Sequence, residues 1–486
     1  MSTPVHFPSD FPDRISPMLV KELRQGLRAK TFVAMFLSLQ IFLAVMLFSA
    51  GAASTSDYVG SVISGIIFTF FSIAVIVVQP LRGTSALSSE VKGNTIDMMV
   101  LTRLSAWRIV FGKWVAIVSQ SALLLTTIIP YLILRYFFGG MNLVSEMVFL
   151  LVIFLTSMAL TALTVGLSGC HSVIVRSLVP IIGLPILLWS MLIVSFSYGF
   201  RGSGNVLDVF NLDNTDSQTG VGCYVAAIVY LGMSMLSMGA SLIAPAAENH
   251  AILRRLVALL AMFALIPVAA LDAFDGEWTI LLATIVGVPA ILIALTDSAP
   301  LVATVCKPFV KRGPIARVIG RLFYPTWSSG VIFSMLLAII GIAAVFGQSL
   351  LHGGSPEWDD SDTIVILSLV GGMFFPSVWQ VFLFKGESQR LGHYLLLLAG
   401  SFVMMGVLTA LADSMNSGAF LWFFAWHPFA FISMLEESHA PNEVLSISVA
   451  LLDLIIFAIL TVKAMIDIRK SAPVIQEAQN PIEQAG

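Results

Sequence analysis

Residues Leu81–Lys113 read LRGTSALSSEVKGNTIDMMVLTRLSAWRIVFGK, a charged island between two long apolar runs. Arg82, Lys92, Arg103, Arg108 and Lys113 are set among a few acids. Each flanking run is close to the ~20 residues that carry a helix across hydrocarbon, so the island reads as a loop joining two membrane spans. Inside it, Thr95–Leu104 is long enough for two or three helical turns. Thr95 suits an N-cap, and Asp97 sits in the first turn, where a carboxylate favours the positive helix end. Ile96, Met99 and Val100 fall at i, i+3 and i+4 and share one face. A water-exposed loop has little reason to carry Ile96, Met98, Met99, Val100 and Leu101 unless something covers them. The cover is either the chain's own helix ends or a separate soluble subunit.

The rest of the composition agrees with a membrane environment. Of 486 residues, 58% are hydrophobic and 11% charged, where soluble domains run near a quarter charged. The spans predicted are Thr31–Ala53, Ser61–Pro80, Trp114–Phe138, Met147–Ser168, Ser177–Phe200 and Val221–Pro245. A second set follows at Leu256–Asp272, Trp278–Asp297, Ser329–Gly347, Thr363–Phe384, His393–Ala412 and Val444–Ile466. The expected fold is therefore an all-α polytopic membrane protein of about 12 transmembrane helices. No apolar core precedes Thr31, so the first span is expected to double as the targeting signal.

Charge counting orients the chain. With both termini cytoplasmic, 23 of the 25 Lys and Arg lie inside, and only Arg135 and Arg201 fall outside. The opposite topology would translocate all 23, against the positive-inside rule. The net charge of −3 conceals this asymmetry. The basic residues follow topology, and no nucleic-acid partner is expected.

Before the first span, Pro17–Lys30 (PMLVKELRQGLRAK) repeats Leu19, Leu23 and Leu27 every four residues. Lys21, Arg24 and Arg28 follow another stripe. A short basic amphipathic helix of this kind lies in the headgroup plane, in contact with membrane lipid, rather than crossing it. The expected organisation is residues 1–30 as tail and elbow helix, 31–245 as a six-span core with the 81–113 loop, and 246–466 as a second six-span region. Residues 467–486 form a cytoplasmic tail. The second region has its own basic loop at 298–328, with an amphipathic stretch before the next span that echoes Pro17–Lys30. Phe420–Leu435, FLWFFAWHPFAFISML, is short, aromatic and interrupted by Pro428. As a crossing it would place Arg469 and Lys470 outside, so an outer interfacial or re-entrant segment is expected.

Enzyme signatures are absent: no zinc-binding His-Glu-x-x-His, no Gly-x-Ser-x-Gly turn and no phosphate loop. Three separated cysteines, Cys170, Cys223 and Cys306, make no disulfide framework or zinc site. Among intramembrane groups, Asp453 stands mid-span. A carboxylate there is a functional candidate by cost, or else an interhelical hydrogen bond that fixes packing. Pro180 and Pro185 should bend or unwind the fifth span.

The order of these features resembles the permease subunits of type-2 ABC exporters. Lys21-Glu22-Leu23-Arg24 to Arg28 is similar to that family's elbow helix. Glu90, Gly93-Asn94-Thr95-Ile96-Asp97, Leu101-Thr102-Arg103-Leu104-Ser105 and Gly112-Lys113 resemble its coupling-helix region. Pro245-Ala-Ala-Glu248-Asn249 and Trp426-His427-Pro428-Phe429 are further points of likeness. The resemblance implies a chain with no cofactor of its own, working with an ABC ATP-binding subunit that holds the ATP. It further implies docking of that subunit through Glu90, Thr95, Ile96, Met99, Val100 and Arg103. The implied location is the plasma (inner) membrane, with a homodimer or second permease completing the assembly. The family core has six spans and this chain about twelve, so one chain supplies one half of the membrane domain or both. A twelve-span ion-coupled carrier and a non-transporting membrane scaffold are the competing expectations.

Overall fold

The computed structural model describes residues 17–52, 59–88, 90, 93, 105–136, 143–170, 172–185, 188–189, 192–193, 210, 215–245, 248, 250–269, 276–297, 299–351, 360–383, 390–415, 419–437 and 441–483. Among them every regular element is helical, and eleven helices are long and apolar enough to cross a membrane. The protein is a polytopic all-α membrane protein. The fifth predicted span is only partly described: a helix at Val173–Leu178, then a π-helical stretch at Val179–Gly183 that contains Pro180. The chain divides into two compact units, Met1–Ile243 and Ala244–Gly486.

In the first unit, α1 is Pro17–Leu27, α2 Lys30–Ala52 and α3 Val59–Ser72. A π-helical stretch, Ile73–Val78, joins α3 to α4, Gln79–Gly83. Then come α5 (Ala106–Tyr136), α6 (Leu143–Leu167), α7 (Val173–Leu178) and α8 (Thr215–Ile243). The π stretch has a local cause in Pro80, which has no N–H to give Ile76 and whose ring would strike the carbonyl four residues back. Widening the turn removes the clash, and the Gln79 N–H reaches the Ala74 carbonyl. Ser157 of α6 donates to the Val75 carbonyl at 2.5 Å, supplying from a neighbouring helix a hydrogen bond at the widened turn. The α6–α8 pair is held close by small residues. A Cβ on Gly166 would lie 2.3 Å from the Met235 carbonyl oxygen, and one on Gly239 would lie 2.7 Å from the Gly166 Cα. In lipid this close backbone approach, rather than hydrophobic exclusion, gives the packing energy. Phe68, Phe71, Leu124, Ile128, Phe149 and Ile153 fill the core between α3, α5 and α6.

In the second unit, α9 is Ala251–Ala269, α10 Gly276–Thr296, α11 Ala303–Val310 and α12 Pro314–Phe323. They are followed by α13 (Trp327–Leu351), α14 (Asp360–Leu383), α15 (Arg390–Met415), α16 (Ala430–Glu437) and α17 (Asn442–Glu483). Gly330 of α13 lies against the α10 backbone: its Cβ would stand 1.8 Å from the Ala294 carbonyl oxygen. The aromatic stretch is a 3-10 helix, Ala419–Phe424, a turn through His427, and then α16. No single helix runs through it. Residues 467–483, expected as a tail, continue α17, which at 42 residues is about 63 Å long, twice the hydrocarbon thickness. Its far end does not hang free, because Ile475 and Ala478 are buried against Val305, Cys306, Val310 and Tyr324.

Candidate functional site

The predicted amphipathic helix is present as α1, lying against α5. Gly26 makes the approach close, since a Cβ there would fall 2.2 Å from the Gln120 side-chain nitrogen. Lys21, Arg24 and Arg28 are exposed, as their stripe implies, while Glu22 on the same helix turns inward. Its carboxylate meets the ammonium of Lys113 at 3.1 Å, and Glu90 meets that ammonium at 3.2 Å. Lys113 is buried, its side chain only 6% exposed, so one cation joins α1, the root of the loop after α4, and α5.

Around this triad lies a cleft of about 500 Å³, walled by Lys21, Glu22, Arg82, Glu90, Lys113 and Gln120 among others. Arg82 donates to the Gln120 side-chain oxygen and, at 3.4 Å, to that of Gln79. The Leu87 N–H donates to Ser168 Oγ at 3.0 Å, which ties the turn after α4 to the end of α6. Both ends of the 81–113 loop are therefore seated on the helix bundle. Of the sequence-predicted docking residues, Glu90 lies in this cleft with Lys21 of the elbow stripe. Thr95, Ile96, Met99, Val100 and Arg103 lie outside the described residues. The position of Lys113 departs from the simple loop reading. The helix starts at Ala106, so Lys113 sits two turns inside α5 rather than at its mouth.

Asp453 is 4% exposed, on the buried face of α17 that also carries Leu445, Val449, Ile456 and Leu460. Neither carboxyl oxygen has a hydrogen-bond partner among the described residues. Room for it comes from Gly371 of α14, where a Cβ would fall 1.8 Å from Asp453 Oδ1. His427 is buried in the aromatic turn, its ring 4.4 Å from that of Phe375, and its Nδ1 accepts the Phe429 N–H at 3.2 Å.

Two charged groups escaped the sequence reading. Glu146 is fully buried in the first turn of α6 and accepts from Ser64 at 2.8 Å. A hydropathy window that opens at Met147 steps over it. In the second unit, Arg254 and Arg255 grip the two oxygens of Asp297 at 2.9 and 2.8 Å. Arg255 also donates to the Leu322 and Tyr324 carbonyls, both at 2.8 Å, and lies 5.5 Å from the Phe333 ring centre. It thus closes the C-terminal carbonyls of α12 as well as its own ion pair. An Arg-Arg pair opening one span and an Asp closing the next was the available signal.

No family model, curated protein or solved structure matches this chain. The likeness to exporter permeases rests on the motif residues quoted above. Among the described residues no group of three His, Cys, Asp or Glu could hold a metal ion.

Proposed function

We propose that the chain is the membrane-spanning permease subunit of an ATP-driven exporter. In this reading it lies in the plasma (inner) membrane with both termini cytoplasmic, and a separate ABC subunit binds the ATP. The observation that supports it most is the Lys113 triad. A soluble motor seated on residues 91–104 would push on a loop whose two ends are fixed to α5, α1 and α6. A load on that loop therefore moves helices rather than slack chain. ATP must bind one arrangement of the helices more tightly than the other, and that differential affinity drives alternating access. A homodimer or a second permease would complete the membrane domain where one chain supplies half of it. Asp453 supports a second reading, a carrier driven by a coupling ion, because its carboxyl oxygens are buried with no hydrogen-bond partner among the described residues.

The test is co-purification of the full chain with an ATP-hydrolysing subunit from its native membrane. Met99→Glu combined with Val100→Glu puts two charges on the apolar face, so the subunit should be lost while the chain still inserts at the same yield. Equal recovery of the ATPase with the double variant would overturn the docking assignment. Substrate efflux that depends on an ion gradient and is abolished by Asp453→Asn, with no ATPase present, would favour the carrier.

A further inference from the structure

The loop between α10 and α13 carries a surface that the transporter reading leaves unused. Residues 298–328 contain Lys307, Lys311, Arg312, Arg317 and Arg321 and not one Asp or Glu. Lys307, Lys311, Arg312 and Arg321 are exposed. Within this stretch α12 is ten residues long, about 15 Å, too short to cross a bilayer.

Its side chains divide into three faces. Gly320 and Phe323 are buried. The inward contact is close: a Cβ on Gly320 would come 2.8 Å from the Phe309 ring, and the Phe309 and Phe323 rings stack at 6.3 Å. Arg317 and Arg321, four apart, form the second face, with the Arg317 guanidinium set against the Gln479 side-chain amide. Ile315, Val318 and Ile319 form the third face and are 76%, 64% and 47% exposed. Leu322 completes that stripe at i+7.

A bare face of three large aliphatic side chains, beside a run of five cations with no acid, matches one environment in both halves. That environment is the acyl–headgroup boundary of an anionic leaflet. The bilayer is already at hand, since α10 ends at Thr296 and α13 begins at Trp327, both candidate spans. Arg255 fixes the end of α12 through the Leu322 and Tyr324 carbonyls, so the helix is held in position independently of what covers its outer face.

We propose that α12 is an in-plane membrane helix that inserts Ile315, Val318 and Ile319 among lipid chains. In the same pose Lys307, Lys311, Arg312 and Arg321 bind anionic phospholipid headgroups. This goes beyond the exporter reading and does not depend on it.

The test uses the full chain in nanodiscs of phosphatidylcholine with or without phosphatidylglycerol, with no nucleotide and no partner protein. A spin label at Val318→Cys, with the three native cysteines replaced by alanine, should be reached by oxygen and shielded from a water-soluble nickel chelate. Independently, the chain with its native cysteines should retain phosphatidylglycerol through detergent extraction. Each exposed cation removed should weaken that retention about fivefold, so Lys311→Gln with Arg312→Gln should lose about 25-fold. A label open to the nickel chelate in both lipid mixtures would overturn the proposal. So would undiminished phosphatidylglycerol retention in the charge variant. A label shielded only after a soluble ATPase subunit is added would assign the face to a protein partner and overturn it equally.

Discussion

Replacing Lys113 with methionine tests the triad at its centre. The substitution keeps much of the volume of the side chain and removes the only charge it presents to Glu22 and Glu90, at 3.1 and 3.2 Å. Removing one member of a buried ion pair typically costs about 3–5 kcal/mol, because the remaining charge is left unpaired. Here two like charges would be left facing the space of the lost ammonium, which argues for the upper part of that range. Against this, the glutamate side chains keep 21% and 16% exposure and can turn toward water. The balance places the cost at about 3 kcal/mol.

The measurement is reversible unfolding of the full chain in mixed detergent micelles, together with the distance between spin labels at Arg24 of α1 and Phe111 of α5. The variant should lose about 3 kcal/mol and show a broadened distance distribution as α1 detaches. Adding Glu22→Gln to Lys113→Met should recover about 1 kcal/mol, because one of the two carboxylates that faced the lost ammonium is gone. A loss below about 1 kcal/mol, the range of an exposed pair, with an unchanged distance distribution would refute the claim that Lys113 holds α1 in place.

Three further outcomes follow from the packing. Arg255→Met should destabilise the protein by about 3 kcal/mol in the same unfolding assay, since it takes one of the two guanidiniums from Asp297, leaving Arg254 as the other, and removes a donor from each of the Leu322 and Tyr324 carbonyls. Gly330→Ala should cost more than about 3 kcal/mol by forcing α13 away from Ala294, whereas Gly347→Ala, with no atom of the described residues within 4 Å of the new methyl, should be neutral or gain about 0.5–1 kcal/mol. Burial pushes the Cys170 thiol up to about 11, against the opposing pull of Arg176. In a chain carrying Cys223→Ala and Cys306→Ala, iodoacetamide should therefore alkylate it slowly near neutral pH, the rate rising about tenfold per pH unit toward pH 10; a rate that levels off below pH 9 would contradict the burial.

Hydropathy and spacing were sufficient for eleven of the twelve expected spans, because a helix in lipid must satisfy its own backbone and so announces itself by length alone. The α1 helix was legible for a similar reason: leucines every four residues describe one face whatever they touch. The π stretch was not legible, although Pro80 was in view. Whether a proline kinks, unwinds or widens a helix depends on what can take up the disturbed carbonyls, and here that partner is Ser157, 82 residues away. Lys113 posed the same difficulty. As a charge near a helix start it counts toward orientation, and only the meeting with Glu22, 91 residues distant, makes it a buried tie. Asp453 stood out by its cost in hydrocarbon, but Gly371, which makes room for it, carries no mark in the sequence. The apolar face of Ile96, Met99 and Val100 is read from spacing alone, as it lies outside the described residues.

The two units solve one mechanical problem with different chemistry. A short amphipathic helix precedes a span in each: α1 before α2 and α12 before α13. Lipid holds such a helix at a depth but not at an azimuth, because burial of an apolar face is non-directional. A directional contact to the bundle is required if the helix is to move with it. In the first unit α1 carries Glu22 among its cations, so a lysine on α5 can take that carboxylate directly. α12 has no acid to offer, and the contact must therefore go to its main chain. A guanidinium suits this, with several donors in a fixed fork that can reach two carbonyls and a carboxylate at once. Arg255 does so, with Asp297 supplying the countercharge that the helix itself lacks. It follows that lysine at position 255 should fail where arginine succeeds, since one ammonium cannot reproduce that fork, whereas Lys113→Arg should be tolerated only if the 500 Å³ cleft beside Glu22 admits the larger head.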